Sequence, residues 1–431
     1  MNRRMTAAKG IAFAAALTLG LAACSSGAEP EGDSTAEETT DEAAADAEPL
    51  TIGTTLPVTG TLSFLGPPEI AGVGLAIADI NDAGGVLGNP VRVEWGDSGD
   101  NTDLTTANST ATDHISKGVD AVVGAASSAV TLGVVDTYVE AQIMMISPAN
   151  TSADLSDYSE FYSRTAPPDT VQGSALGSLI LDGGHQDVAM IVLNDAYGTG
   201  LRDHTQAAIE AGGGSVVYGA NGAGEEFPPG ETNFGSQVSA ALATDPDALV
   251  VIAFEETTAA VNELVAQGWD FDGTTYFTDG NVSNDYEFDE GTLTGVQGTL
   301  PGAQADDDFK ERLNSWYSEN EGGELDGYSY AAESYDATML AALAAVRGGA
   351  TDGPTIAENI RAVSGAEGGT EVSTFADGVA ALEAGEEIHY TGPSGTGPLN
   401  EANDPSSAFI GIYEYGEGNQ YEYVRQIEGQ I

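Results

Sequence analysis

The stretch AVVGAASSAVTLGVVDTYVEAQIMMISPANT, residues 121–151, decides the fold. Ala121–Gly124 is an unbroken apolar run of strand length, and Ile143–Ser147 is a second. Between them Leu132, Val135 and Val139 recur at helical spacing from a start near Ser128. Strand, helix and strand in so short a span, with both strands apolar throughout, predict parallel strands covered by helices on both faces. Each strand also ends in hydroxyls: Ser127 and Ser128 after the first, Thr151 after the second.

The same rhythm runs outward from there. Upstream, Leu50–Leu56 reads as a strand ending at Pro57, and Ile70, Val73, Ile77 and Ile80 mark a helix face that Gly84-Gly85 stops. Val91–Trp95 alternates as a strand, and Ala107, Ala111 and Ile115 follow on a helix. Downstream of Arg164 the pattern restarts. A helix is expected over 170–181, and strands over 188–193, 215–218, 248–253 and 276–278 alternate with helices near 201–211, 234–243 and 257–267. Two more helices, about 306–319 and 329–347, and a closing hairpin over 409–415 and 421–424 complete the chain. The predicted class is α/β, with two successive doubly wound units.

Of the 431 residues, 12 are Lys or Arg and 68 are Asp or Glu, a formal net charge of −56. Such a field repels phosphate backbones and excludes nucleic acid as a partner. The composition, 41% hydrophobic, is enough for a real core, and the length suits two or three domains. Cys24 is the single cysteine, so an intrachain disulfide and a thiolate zinc site are both excluded. His114, His185, His204 and His389 are scattered, with no metal-ligand spacing, and no metal or other cofactor is expected. The strength of the acidity is consistent with solubility in salt or with a saline habitat.

Residues 1–23 read as a secretory signal: Arg3, Arg4 and Lys9 precede an apolar core, Ile11–Leu21, about half the ~20 residues a membrane span needs. Leu21-Ala22-Ala23-Cys24 resembles the bacterial lipobox, which implies lipidation of Cys24 as the new N-terminus; two or three acyl chains then anchor the protein to the outer face of the cell membrane. Ser25–Glu48 holds nine acids and no base. Residues 24–49 therefore read as an extended acidic tether. No stretch downstream has 18 consecutive apolar residues.

No GxSxG, no GxxxxGK[ST] and no GxGxxG opening a helix after a strand is present. Gly198-Thr199-Gly200 lacks the third glycine, and Gly395-Thr396-Gly397 runs into Pro398. No catalytic residues are assigned, and the chain is read as not an enzyme.

Four segments in order carry a family likeness: 76–85 (AIADINDAGG), 122–128 (VVGAASS), 145–151 (MISPANT) and 194–200 (NDAYGTG). Together they resemble the branched-chain amino-acid binding proteins of ABC importers, type I periplasmic solute-binding proteins, over roughly residues 50–424. The resemblance implies two lobes joined by a three-strand hinge near 164–168, 300–303 and 398–403, with residues 50–166 plus 302–400 as lobe 1 and 167–301 plus 401–431 as lobe 2. It implies a cleft ligand, an amino acid or a short amide or urea, delivered to a membrane permease and its ATPase subunits. A monomer is expected, and a ligand sensor is the alternative role.

Matched motif to motif, Ser128 falls on the family's carboxylate-binding serine, Thr151 on its threonine and Ala149 on the carbonyl that takes the ammonium. Asp279, leaving the strand Tyr276-Phe277-Thr278, falls on its acidic residue. Tyr197 and Phe254 fall on aromatic cleft walls, with Ser127 beside the carboxylate site and Phe64 or Leu65 facing the ligand side chain; Tyr328 is a further candidate. A disulfide that some members carry at the positions of Gly99 and Ser127 is absent. A helix N-terminus suits a carboxylate and a dry ammonium needs a counter-charge, so the match is chemically coherent. Each residue also has a plainer reading: Ser128 as an N-cap, Thr151 in a turn, Asp279 in an Asp-Gly turn, and Tyr197 and Phe254 as core.

Overall fold

A computed structural model describes residues 48–99 and 101–430. The signal segment, Cys24 and almost all of the acidic tether lie outside these residues. The first half runs β1 (Thr51–Thr55), α1 (Gly66–Asp82), β2 (Arg92–Glu94), α2 (Thr105–Lys117), β3 (Ala121–Gly124), α3 (Ser128–Glu140), β4 (Met144–Ser147) and β5 (Tyr162–Arg164). These strands form one parallel sheet in the order β2-β1-β3-β4-β5. The opening stretch of the sequence is therefore the β3-α3-β4 unit, with all eight strand residues buried.

The second unit runs α4 (Asp169–Asp182), β6 (Asp187–Val192), α5 (Ala196–Ala211), β7 (Ser215–Tyr218), α6 (Gly235–Leu242), β8 (Ala248–Ile252), α7 (Thr257–Gln267), β9 (Thr275–Phe277) and β10 (Gln297–Pro301). After it come α8 (Asp307–Asn320), α9 (Ala331–Gly348), α10 (Gly353–Val363), β11 (Thr370–Val372), α11 (Phe375–Glu383) and β12 (Ile388–Tyr390). The hairpin β13 (Ser407–Tyr415) and β14 (Tyr421–Gln430) closes the chain. It joins the second sheet, β14-β13-β10-β9-β8-β6-β7, whose last two strands in the chain run antiparallel. The second sheet is thus mixed, parallel only from β10 to β7.

Helices α8 to α11 do not cover the sheet they follow. They pack on the first sheet, where Phe309, Tyr335, Met339 and Ile360 share a core with Ile52, Val73 and Ile146. The chain therefore passes between the two layers after β5, after β10 and before β13. Helix α9 is buried along nearly its whole length. It crosses α1 closely because position 72 is glycine: a Cβ there would lie 2.2 Å from the Ala331 carbonyl oxygen.

The first and third passages are tied by a buried ion pair. Arg164 Nε donates to Asp404 Oδ1 at 2.6 Å, and both side chains are buried. Its other nitrogens donate to the Ser152 carbonyl and to Ser156 Oγ, each at 2.8 Å. Ser156 Oγ in turn donates to Asp404 Oδ2 at 2.6 Å. Every polar atom of the guanidinium end is thereby engaged, the condition for tolerating a charge away from water.

Among the described residues no helix is long and apolar enough to cross a membrane, and no cluster of His, Cys, Asp and Glu could hold a metal ion.

Candidate functional site

The C-terminal ends of β3 and β4 open at the same edge of the first sheet, where doubly wound sheets bind ligands. Ser127, with extended backbone, is the N-cap of α3, its Oγ accepting from the Val130 N–H at 3.4 Å. The capping role considered for Ser128 therefore belongs to its neighbour. Ser128 Oγ instead accepts from the backbone N–H groups of Thr151 (3.3 Å) and Ser152 (3.2 Å), which leaves its own proton for an acceptor. Beneath them Ser147 Oγ donates to the Ala125 carbonyl at 2.6 Å, and Tyr162 OH donates to Asn150 Oδ1 at 2.6 Å. This network fixes the loop carrying Ala149 and Thr151. Thr151 Oγ1 is buried and has no partner in hydrogen-bond geometry.

From the second sheet come Asp279, just after β9, and Tyr197, in the first turn of α5. Asp279 Oδ1 accepts from Tyr197 OH and Gln172 Nε2, each at 2.8 Å, and Oδ2 accepts from Tyr330 OH at 2.7 Å. Burial pushes the Asp279 carboxyl up; the Tyr330, Tyr197 and Gln172 hydrogen bonds pull it back. The Tyr197 and Phe254 rings stack with centroids 5.3 Å apart and planes 15° off parallel. Gly280 N–H donates to Tyr197 OH at 3.1 Å, an approach a Cβ would obstruct, since it would sit 2.9 Å from both that oxygen and the Ala253 carbonyl.

Ser127, Ser128, Ala149, Thr151, Tyr197, Phe254 and Asp279 all line one cavity between the two sheets, together with Leu62, Leu65, Ala126, Gly280 and Tyr330. Every one of these side chains is buried. The cavity measures about 20 Å³, little more than the ~10–15 Å³ that one water requires on the same measure. The two walls are drawn tightly together, and Asn101 Nδ2 bridges them at 3.2 Å to Asp195 Oδ2.

Two candidates fall elsewhere. Phe64 lines an adjoining opening with Pro67, Pro68 and Asn284. Residues 63–65 form a single 3-10 turn, so adjacent side chains point about 120° apart and only Leu65 of the pair faces the cavity. Tyr328 lines a different cavity. Its place is taken by Tyr330, whose left-handed backbone (φ 60°) caps α9 and accompanies a ring turned toward Asp279. Sequence reasoning missed Tyr330, Gln172 and Leu62. Gln172 carried a signal, an amide on an otherwise apolar face of the expected 170–181 helix.

A second carboxylate stands behind the site. Asp169, the first residue of α4, is fully buried, and neither of its oxygens reaches a partner in hydrogen-bond geometry. Burial pushes it well above the usual range, and the charge of Asp279 adds to the rise. Elsewhere burial is also the chief cause that carries Glu333 up to about 8 and Asp195 and Asp336 up to about 6.

These raised carboxyls set a pH dependence. In the unfolded chain they ionise near ~4. The folded state therefore holds more protons between that point and the raised values, and stability falls as pH rises. Each such group contributes about 1.4 kcal/mol per pH unit within its window. The melting temperature should drop steadily from pH 5 to pH 8.5, and Glu333→Gln should flatten the part above pH 6. A scanning-calorimetry series with a flat or rising trend would contradict the burial argument.

Comparison with known proteins gives the chain its family. Residues 49–391 match the family model described as periplasmic binding protein. A Leu/Ile/Val-binding protein homolog of Brucella abortus is 28% identical over 320 residues, 72% of this chain and 81% of its own. The fold matches a leucine-binding protein of Thermotoga maritima with a TM-score of 0.70 at 22% identity, covering 88% of this chain and 98% of that one. It also matches a solute-binding protein of an ABC transporter from Rhodopseudomonas palustris, in complex with p-hydroxybenzoic acid, with a TM-score of 0.69 at 16% identity, covering 89% and 98%.

Proposed function

Because this chain belongs to the periplasmic binding protein family, we propose that it is the extracytoplasmic solute-binding component of an ABC importer, and that its cargo is an α-amino acid or a close analogue. The family's role is substrate binding in transport, and no chemical change of the cargo is part of the reading. The observation that carries it is the cavity in which Ser128 and Thr151, at the start of α3 and the end of β4, face Asp279 from the other sheet.

A zwitterion fits those two walls end to end. Its carboxylate takes the proton of Ser128 Oγ and the unpartnered Thr151 hydroxyl near the α3 N-terminus, where the helix dipole favours negative charge. Its ammonium takes Asp279 and the Ala149 carbonyl, with Tyr197 and Phe254 stacked alongside. Leu62 and Leu65 are the apolar groups left for the side chain. The carboxyl end and the ammonium end are held by different sheets, so binding stabilises the closed arrangement over an open one. We assign residues 50–166 plus 302–400 to one lobe and 167–301 plus 401–431 to the other, moving about the three passages between the layers. The cavity between the two walls measures about 20 Å³, so the lobes separate to admit a cargo. Cys24 is proposed as the lipid-anchored N-terminus, which keeps the protein, as a monomer, beside its permease.

A thermal-shift screen of amino acids, aromatic carboxylates, short amides and ureas, confirmed by calorimetry, tests the reading. At a free ligand concentration of 100 times Kd the expected stabilisation is about 2.7 kcal/mol. Stabilisation by leucine, isoleucine, valine or another α-amino acid supports it. No shift from any α-amino acid, with a clear shift from another class, overturns it.

A further inference from the structure

On the far side of Tyr330 from the clamp lies a second cavity, of about 240 Å³. Tyr330 lines both. Three more tyrosines come from the closing hairpin, Tyr413 on β13 and Tyr421 and Tyr423 on β14, and Tyr328 completes the aromatic wall. The Tyr413 ring meets those of Tyr421 and Tyr423 edge-on, with centroids 5.3 and 5.7 Å away.

Glu333, in the first turn of α9, opens onto the same cavity and is only 3% exposed. Its carboxylate accepts no hydrogen bond from any other described residue, only from its own backbone N–H, and no Lys or Arg pairs with it. The charged groups acting on it are acids, Glu69 from α1 and Asp336 one turn along α9. Asp326 lies at the exposed mouth of the cavity. Lys310 is also at the rim, 5.6 Å from the centroid of the Tyr328 ring, and forms no ion pair among the described residues. A buried acid lining a tyrosine-walled cavity, without a counter-charge, is complementary to a cation that brings its own apolar body.

We propose that this cavity is a second binding site, selective for small organic ammonium compounds with an aromatic or alkyl body, whose cationic end is taken by Glu333. The tyrosine rings supply cation–π and apolar contact along the body. Lys310, at the rim, meets whatever polar group the ligand carries there. Glu333 is protonated at neutral pH, since burial carries it up to about 8, so binding an ammonium releases its proton. This site is independent of the amino-acid reading of the clamp.

Isothermal titration of the full chain at pH 7 with phenethylamine and choline, in two buffers of different ionisation enthalpy, tests it, with phenylacetate as the anionic control. The expected result is binding of an amine with proton release. Glu333→Gln should weaken it at least tenfold and abolish the release. Tyr421→Ala and Tyr423→Ala, both at the half-buried rim, should also weaken it, and they keep the test decisive if Glu333→Gln fails to fold. Three results would overturn the proposal: no heat from either amine at millimolar concentration, phenylacetate binding as tightly as phenethylamine, or amine binding that is lost in Asp279→Asn and intact in the Glu333 and tyrosine variants.

Discussion

Asp279→Asn lowers the affinity for an α-amino acid by about 100-fold while the unliganded protein keeps or gains stability at pH 8. The two halves of this expectation have one cause. Asp279 is buried and receives three hydrogen bonds, from Tyr197, Gln172 and Tyr330, all neutral donors. Without a ligand the carboxylate has no counter-charge, and burial raises its pKa. Asparagine keeps the shape and removes the desolvation cost, the pattern expected where a site is maintained at the expense of stability. With a ligand present, the carboxylate meets an ammonium in a cavity that water barely enters. Losing one member of a buried, hydrogen-bonded charge pair costs about 2–5 kcal/mol, and each 1.4 kcal/mol is about tenfold. Calorimetry on both forms, with a melting curve of each, separates the effects. An unchanged Kd would remove Asp279 from the site, and a sharp loss of stability in the unliganded variant would make it a structural residue.

Arg164→Met destabilises the protein by about 3–5 kcal/mol, because it leaves Asp404 buried without its partner. Three hydrogen bonds from the guanidinium vanish together, to Asp404, the Ser152 carbonyl and Ser156. In a chain of this size that corresponds to a fall in melting temperature of about 3–6 °C. The double variant Arg164→Met with Asp404→Leu should recover much of the loss, since an apolar pair of similar volume carries no unpaired charge. A single-variant effect below about 1 kcal/mol would mean the pair is hydrated and unimportant.

The two results probe different layers of the same design. Asp279 is held in place by residues from α4, α5 and the start of α9, so its chemistry depends on the chain having crossed between the layers. Arg164 and Asp404 lie at two of those crossings.

How far each part was legible follows from the range of the interactions that place it. The unit β3-α3-β4 could be read because its strands are apolar on both faces and its helix repeats at 3.6, both local patterns. Ser127, Ser128 and Thr151 could be read with it, because their positions are set by the strand ends they follow. Strands β5, β11 and β12 are three residues each and too short to display alternation. Helix α10 was missed although Asp352 precedes Gly353-Pro354 and caps it, its Oδ1 accepting from the Thr355 N–H at 3.0 Å, a start signal that was present in the sequence. Phe64 and Leu65 stay undivided in the sequence because one residue of phase in a 3-10 turn decides which side chain faces inward.

Sequence alone determined the layered α/β class, the duplication into two units, the overall charge and the residues at the ends of β3 and β4, since all of these are written in composition and short-range periodicity. Tertiary structure alone decided that Tyr330 and not Tyr328 reaches Asp279 and that Glu333 is enclosed beside five tyrosines. Those facts depend on contacts between segments dozens to hundreds of residues apart. Such contacts are fixed by packing and by where the chain crosses between the layers, and no local pattern encodes them.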